Sequence, residues 1–319
     1  MSMPKVALLG TRYPDLEIER ELLDGVAEIV LGDGDNARAI LDVAADAEVI
    51  MAGNPPVFDA DVIAGLRCKA IIRSGIGVDT VDLAAAKSHG MWVVNVPDYG
   101  TDAVAFHALT LGVAGMRRLV AADAVVRAGG WGFLDLRPMI LPASSVLGVV
   151  GFGRIGRRVA ELFRGIGFEQ VLAYDPFTEP DGPGVVPSTL DEVLSGADVV
   201  SLHSPPPEDG SALLGEAQLS QMREGSILVN TARGRLIDSA ALAQSLANGR
   251  PAVAALDVFD PEPPDLTVFE GVLNRMILTP HTAWYTEESQ ADLRRKSAEE
   301  ARRILGDERP RNVVVDPTA

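Results

Sequence analysis

The chain has 319 residues, more than one hydrophobic core usually fills, so two domains are expected. Hydrophobic residues make up 47% and charged residues 23%, an ordinary globular balance, while 28 basic against 45 acidic residues leave a net charge of −17. That charge argues against a nucleic-acid or anionic-membrane surface, and an anionic substrate would need a local positive site.

The opening "MSMPKVALLG" has one lysine and a short apolar run, too short for a signal-peptide core, and reads as a first β-strand. No apolar run approaches the ~20 residues of a membrane helix. The strand candidates "KVALLG", "AEVIMAG", "KAIIRSG" and "MWVVNVP" alternate with helical stretches such as "FDADVIAGL" and "VDLAAAKSHG". Continuous apolar strands between helices imply βαβ units, so the first ~95 residues read as one doubly wound sheet. The single cysteine, Cys68, excludes an intrachain disulfide and fits a reduced, cytoplasmic setting. No motif attaches an activating histidine to it, and it reads as a bystander rather than a nucleophile.

At Pro97 the texture changes. "PDYGTDAVAFHALTLGVAGMRRLV" begins with turn residues and continues as a long helix, with Thr101 or Asp102 as N-cap and Arg117 and Arg118 at the far end. A second helix, "AADAVVRAGG", stops at paired glycines, and "WGFLDLRPMILPASS" reads as a loop. Six more strand candidates follow: "SVLGVVGFG", "EQVLAYD", "ADVVSLHSP", "SILVNTARG", "PAVAALDVF" and "RMILTPHTA". A last helix from Glu287 to Leu305 leads into "RPRNVVVDPTA", a tail expected to fold back onto the first domain. The first domain is then discontinuous, residues 1–98 and 284–319, and the second spans 99–283, with a cleft between them.

"VLGVVGFGRIGRRVAELF" places Gly151, Gly153 and Gly156 in G-x-G-x-x-G spacing after an apolar strand and at the start of a helix. The first glycine permits a tight turn, the second lets the backbone approach a pyrophosphate, and the third lets helix and strand pack closely. The helix N-terminus offers unpaired N–H groups to the phosphates. Asp175, at the end of the next strand, is placed to accept from a ribose 2′-hydroxyl and to repel a 2′-phosphate, favouring NAD over NADP.

Three further residues fall at strand C-termini of the second domain, the edge where open parallel sheets bind ligands: Arg233 in "VNTARGRLID", Glu262 in "DVFDPEPP" and His281 in "LTPHTAWYTEE". A hydride acceptor such as a 2-keto acid needs a guanidinium for its carboxylate and carbonyl, a role for Arg233. The developing alkoxide needs a proton, a role for His281. A carboxylate beside the imidazole would hold its orientation and favour its protonated form, a role for Glu262. Each residue alone reads as an ordinary loop polar group, and the combination carries the chemistry.

With these residues in place, the chain resembles the D-isomer-specific 2-hydroxyacid dehydrogenases essentially end to end. The likeness rests on "RSGIGVDTVDLAAAKSHGMWVVNVP", "LGVVGFGRIGRRVA", "SLHSPPPEDGSALLG", "ILVNTARGRLIDSAAL", "ALDVFDPEP", "LTPHTAW" and "RPRNVV". "VPDYGTD" and "HTAWYTEE" are most similar to the subfamily containing the C-terminal-binding proteins, which has bacterial members. The resemblance implies an α/β fold of two doubly wound parallel-sheet domains, a flavodoxin-like substrate domain and a Rossmann NAD-binding domain. It implies catalytic roles for Arg233, Glu262 and His281, and no metal. NAD contacts are implied at Gly151, Gly153, Arg154, Ile155, Gly156, Asp175, His203, Thr231, Ala232 and Arg233, with Asp257 near the nicotinamide amide. The substrate carboxylate is expected at the backbone N–H groups of Ser74, Gly75 and Ile76, with Trp284 reaching the substrate pocket. A homodimer through residues 101–130 is implied as well.

Several positions depart from the family pattern. Relatives often read "PLTEET" where this chain has "PPPEDG", so Pro207 and Gly210 replace threonines in a loop bordering the cofactor. Phe106 stands before His107 where close relatives often carry an acid, and Val253 stands where small residues are common. Substrate selectivity is expected from Gly10–Pro14, Ser74–Val78 and Trp284; Arg12 and Tyr13 read as capping the first turn rather than meeting a polar substrate tail. The implied activity is hydride transfer between NAD(H) and C2 of a small D-2-hydroxy acid or 2-keto acid. Two alternatives stay open: an NAD-sensing, corepressor-like dimer with little turnover, and a phosphite-type dehydrogenase. Formate enzymes carry Gln where this chain has Glu262, which disfavours that substrate.

Overall fold

The computed structural model describes every residue except Met1, Ser2, Arg12 and Pro55. The chain folds into two compact units, one of Met1–Gly100 with Thr286–Ala319 and the other of Thr101–Tyr285. The first unit holds strands β1 (Lys5–Leu9), β2 (Glu28–Gly32), β3 (Val49–Ala52), β4 (Ala70–Arg73) and β5 (Trp92–Asn95). The second holds β6 (Val146–Val150), β7 (Gln170–Tyr174), β8 (Val185–Pro187), β9 (Val199–Leu202), β10 (Ile227–Asn230), β11 (Val253–Leu256) and β12 (Met276–Leu278). The chain then returns to the first unit, where β13 (Val313–Val315) pairs antiparallel with β5.

The first sheet has the order β13-β5-β4-β3-β1-β2, a doubly wound arrangement that switches direction beside β1. The second has the order β12-β11-β10-β9-β6-β7-β8, all parallel, with its switch point between β6 and β9. Both sheets are covered on both faces, which is why their strands are continuously apolar. In β1, Val6 and Leu8 pack into one cluster while Ala7 and Leu9 pack into the other. Each fully buried Val or Leu there contributes roughly 1.5–3 kcal/mol relative to exposure. Besides β13, which lies in the tail expected to fold back, two strands, β2 and β8, have no counterpart among the strands named from sequence. Both are edge strands, partly exposed, and β8 ends at Pro187, so the apolar run that marks a central strand is missing.

The helix Thr101–Met116 starts one residue earlier than expected, so Thr101 and Asp102 sit inside its first turn. The Asp102 carboxylate is drawn instead to Arg158, at 2.7 Å, on the helix Arg154–Gly165. Its small residues let the long helix lie close to the sheet. A Cβ at Gly112 would come within 2.7 Å of the Phe163 ring, and one at Gly115 within 2.9 Å of Ile227. In the first unit, the helix Glu287–Leu305 buries Arg294, whose guanidinium bonds both Glu19 oxygens at 2.9 and 2.7 Å.

Candidate active site

The turn after β6 carries the three spaced glycines, and the structure gives each a different reason. Gly151 has φ of +90°, and a Cβ there would meet the His203–Ser204 peptide at 2.5 Å. A Cβ at Gly156 would lie 2.0 Å from the Gly151 carbonyl oxygen, so the helix could not sit so near the turn. Gly153 faces open space, with nothing within 4 Å of its ideal Cβ. It is also the N-cap of Arg154–Gly165 and brings no side chain to that helix end, which leaves the first N–H groups of Arg154, Ile155 and Gly156 without a side-chain cap.

Asp175 follows β7 directly. One of its oxygens accepts from Phe152 N–H at 2.7 Å, and the other from Phe177 and Thr178 N–H at 2.8 and 3.0 Å. Burial pushes its carboxyl up, but these amide donors outweigh that and hold it below the usual carboxylate range. The acid therefore ties the glycine turn to the end of β7. At the neighbouring strand ends, Thr231 Oγ1 and Ser204 Oγ are buried without a hydrogen-bond partner among the described residues. Orphaned hydroxyls beside an open glycine turn fit a bound polar group such as a dinucleotide. His203 bonds Ser201 through Nε2 at 2.8 Å, and burial pushes its imidazole down to about 3, so it is neutral at ordinary pH.

Arg233 leaves β10 on a turn closed by Asn230, a residue the sequence reading passed over. The Asn230 side chain accepts from Ala232 N–H at 3.0 Å and donates to the Arg233 carbonyl at 2.9 Å. Its signal was available, since Asn at a strand end favours such local turns. Next in sequence, Gly234 abuts the loop after β11: a Cβ there would lie 2.0 Å from the Phe259 carbonyl carbon. Glu262 sits three residues beyond Phe259 and spans two partners. One oxygen accepts from Phe259 N–H at 3.0 Å, and the other lies 2.7 Å from His281 Nδ1. The structure thus pairs Glu262 with His281 and sets the Arg233–Gly234 turn against the loop at Phe259 on which Glu262 is held.

His281 has φ of +54°, in the left-handed region that non-glycine residues rarely adopt. Asp257, fully buried at the end of β11, holds this turn. Its carbonyl accepts His281 N–H at 2.8 Å, and its carboxylate accepts Thr282 and Ala283 N–H at 2.9 and 2.8 Å. The resemblance places Asp257 beside the nicotinamide. Here its side chain faces inward, to the turn and to Thr279. Trp284 stacks edge-on against Tyr285, with centroids 5.6 Å apart.

The first unit carries the other expected group. Ser74 N–H donates to the Ala52 carbonyl and Gly75 N–H to the Arg73 carbonyl, each at 2.8 Å. Two of the three amides expected to meet a carboxylate are thus engaged within the loop as folded. The Ile76 carbonyl accepts from Asn95 Nδ2 at 2.7 Å. Burial pushes the Tyr13 hydroxyl up to about 12. The Arg294 guanidinium lies 4.7 Å over its ring. Tyr13 therefore belongs to a packed network, while Arg12, weighed with it above, lies outside the described residues. Cys68 is buried against Met91, and burial pushes its thiol up to about 12. No group of three or more His, Cys, Asp or Glu side chains able to hold a metal occurs among the described residues. No described helix is long and apolar enough to cross a membrane.

A parallel sheet reversing beside an open glycine turn, with a histidine–glutamate pair at its ligand edge, defines a dinucleotide-binding domain equipped for proton transfer. Residues 109–283 match the family model described as D-isomer specific 2-hydroxyacid dehydrogenase, NAD binding domain. The chain belongs to the D-isomer specific 2-hydroxyacid dehydrogenase family. It is 34% identical over 313 residues to a D-3-phosphoglycerate dehydrogenase of Mycobacterium tuberculosis, covering 97% of this chain and 58% of that one. It thus spans less than two thirds of that relative's length. It is 34% identical over 287 residues to a glyoxylate reductase of Korarchaeum cryptofilum, covering 87% of this chain and 85% of the relative. Its fold superposes with a TM-score of 0.83 on D-lactate dehydrogenase from Aquifex aeolicus complexed with NAD and lactic acid, at 26% identity over 95% of this chain and 96% of that one.

Proposed function

We propose that the chain is an NAD-dependent oxidoreductase acting between a small 2-keto acid and the D-2-hydroxy acid. The contact of His281 Nδ1 with Glu262 at 2.7 Å, on the edge of an NAD-binding domain, carries this reading. A carboxylate only accepts, so Nδ1 carries a proton and Nε2 is the nitrogen left to exchange one with substrate. Bound NADH supplies the hydride that reaches C2. His281 Nε2 gives its proton to the carbonyl oxygen, and the ring keeps the Nδ1 proton that Glu262 accepts. In the oxidative direction Nε2 takes the hydroxyl proton back. Arg233 holds the substrate carboxylate and carbonyl oxygen. The loop of Ser74, Gly75 and Ile76 is to meet the carboxylate on binding, with the Ser74 and Gly75 amides giving up their present carbonyl partners for it, and Trp284 is to wall the pocket. The uncapped helix start, Thr231, Ala232, His203 and Asp175 bind the cofactor, with Asp175 selecting NAD over NADP.

The active form is a homodimer through residues 101–130. The helix Leu119–Arg127 buries none of its residues within the chain, and Leu119 and Val126 are 60% and 56% exposed. A buried lone thiol fits a cytoplasmic setting. NADH oxidation by purified protein with glyoxylate, hydroxypyruvate and larger keto acids tests the proposal. Turnover with at least one supports it, and none with any of them sinks it.

A further inference from the structure

His107 lies on the helix Thr101–Met116, and its Nε2 is 3.1 Å from Thr279 Oγ1. Thr279 donates its single hydroxyl proton to Asp257 Oδ1, at 2.5 Å. The hydroxyl must then accept from His107, so Nε2 carries a proton. His107 Nε2 and Asp257 Oδ1 are 3.6 Å apart, too long for a direct hydrogen bond, and the link runs through Thr279.

Asp257 in turn holds three consecutive amides, those of His281, Thr282 and Ala283. A left-handed backbone at a non-glycine residue persists only where its surroundings hold it. At His281 the surroundings are the Asp257 and Thr279 main-chain carbonyls, which accept its N–H at 2.8 and 3.1 Å, and the Asp257 carboxylate, which holds the next two amides and is itself met by Thr279, with His107 behind. The approach of His107 depends on the small residues that let its helix lie close to the sheet.

We propose that His107 is a positioning residue for His281: through Thr279 it fixes the Asp257 carboxylate, and Asp257 fixes the turn that aims the His281 ring at Glu262. The proposal rests on the reading of His281 as proton donor. It adds a residue on a distant helix that sets the donor's geometry without touching substrate.

The test compares the full chain with His107→Leu, His107→Gln, Thr279→Val and the double variant His107→Leu/Thr279→Val. Glutamine can place an N–H where Nε2–H stands, and leucine cannot. Two readouts are taken: kcat and KM with the best keto acid, and hydrogen–deuterium exchange of the segment 279–285. His107→Leu and Thr279→Val are each expected to lower kcat about tenfold, since small misplacements of reacting groups are costly, with KM less affected. Both should speed exchange in the segment, the double variant should be no worse than the worse single one, and His107→Gln should recover most of the loss. Parental kcat and exchange in both single variants, a lowered Tm with unchanged kcat, or effects that multiply in the double variant would overturn the proposal. Should His107→Leu fail to fold, Thr279→Val and His107→Gln carry the comparison. If the parent turns over no keto acid while exchange responds as expected, the acid role of His281 falls and the hold of His107 on the turn stands.

Discussion

His281 and Glu262 show what a residue type can announce and what it cannot. An imidazole and a carboxylate near successive strand ends suggested a proton donor and its orienter, and the 2.7 Å contact supplies that pairing. The supports of the pair were hidden. Asp257 was legible only as an implied cofactor contact, and its grip on three amides depends on a loop that doubles back. His107 and Thr279 lie 172 positions apart, so helix packing alone brings them together. At the same scale, His203 makes a pH prediction. Burial lowers its imidazole from 6.5 to about 3, so the folded state binds this proton less readily than the unfolded chain. The stability it contributes is present above 6.5 and is lost as pH falls toward 3. Urea midpoints compared at neutral and mildly acidic pH should drop less in His203→Gln than in the parent. Equal drops in both would contradict the assignment.

Among elements, the central strands were readable because burial on both faces makes them continuously apolar. The edge strands β2 and β8 were not, because half-exposed edges mix polar and apolar residues. The glycine turn was readable in full, since its sterics follow from spacing after a strand and before a helix. The tie between the helices Glu17–Leu23 and Glu287–Leu305 was not, because Glu19 and Arg294 are 275 positions apart. Glu19 is fully buried and Arg294 nearly so, and the pair is doubly bonded. Removing the Glu19 charge leaves the buried guanidinium with Asp15 alone, whose carboxylate lies 2.9 Å away and is nearly half exposed. Glu19→Gln should cost about 3–5 kcal/mol in denaturant unfolding. A loss below about 1 kcal/mol would place this pair among weak surface bridges.

For the molecule as a whole, the expected fold class of two doubly wound sheets is the one found. The expected six strands of the second domain are seven. The proposed assembly through residues 101–130 draws on exposed apolar side chains there, Leu119 and Val126 at 60% and 56% exposure among them. Light scattering behind size exclusion should return twice the chain mass, and Leu119→Asp with Val126→Asp should halve it. A monomeric parent would contradict the dimer. The central claim is that His281 moves the proton while other groups hold the cofactor. His281→Ala should lower kcat/KM for the keto acid by about 10²–10⁴-fold, the usual contribution of a general acid. NADH affinity, read by fluorescence titration, should stay near the parental value. Turnover close to the parent in His281→Ala would contradict the account.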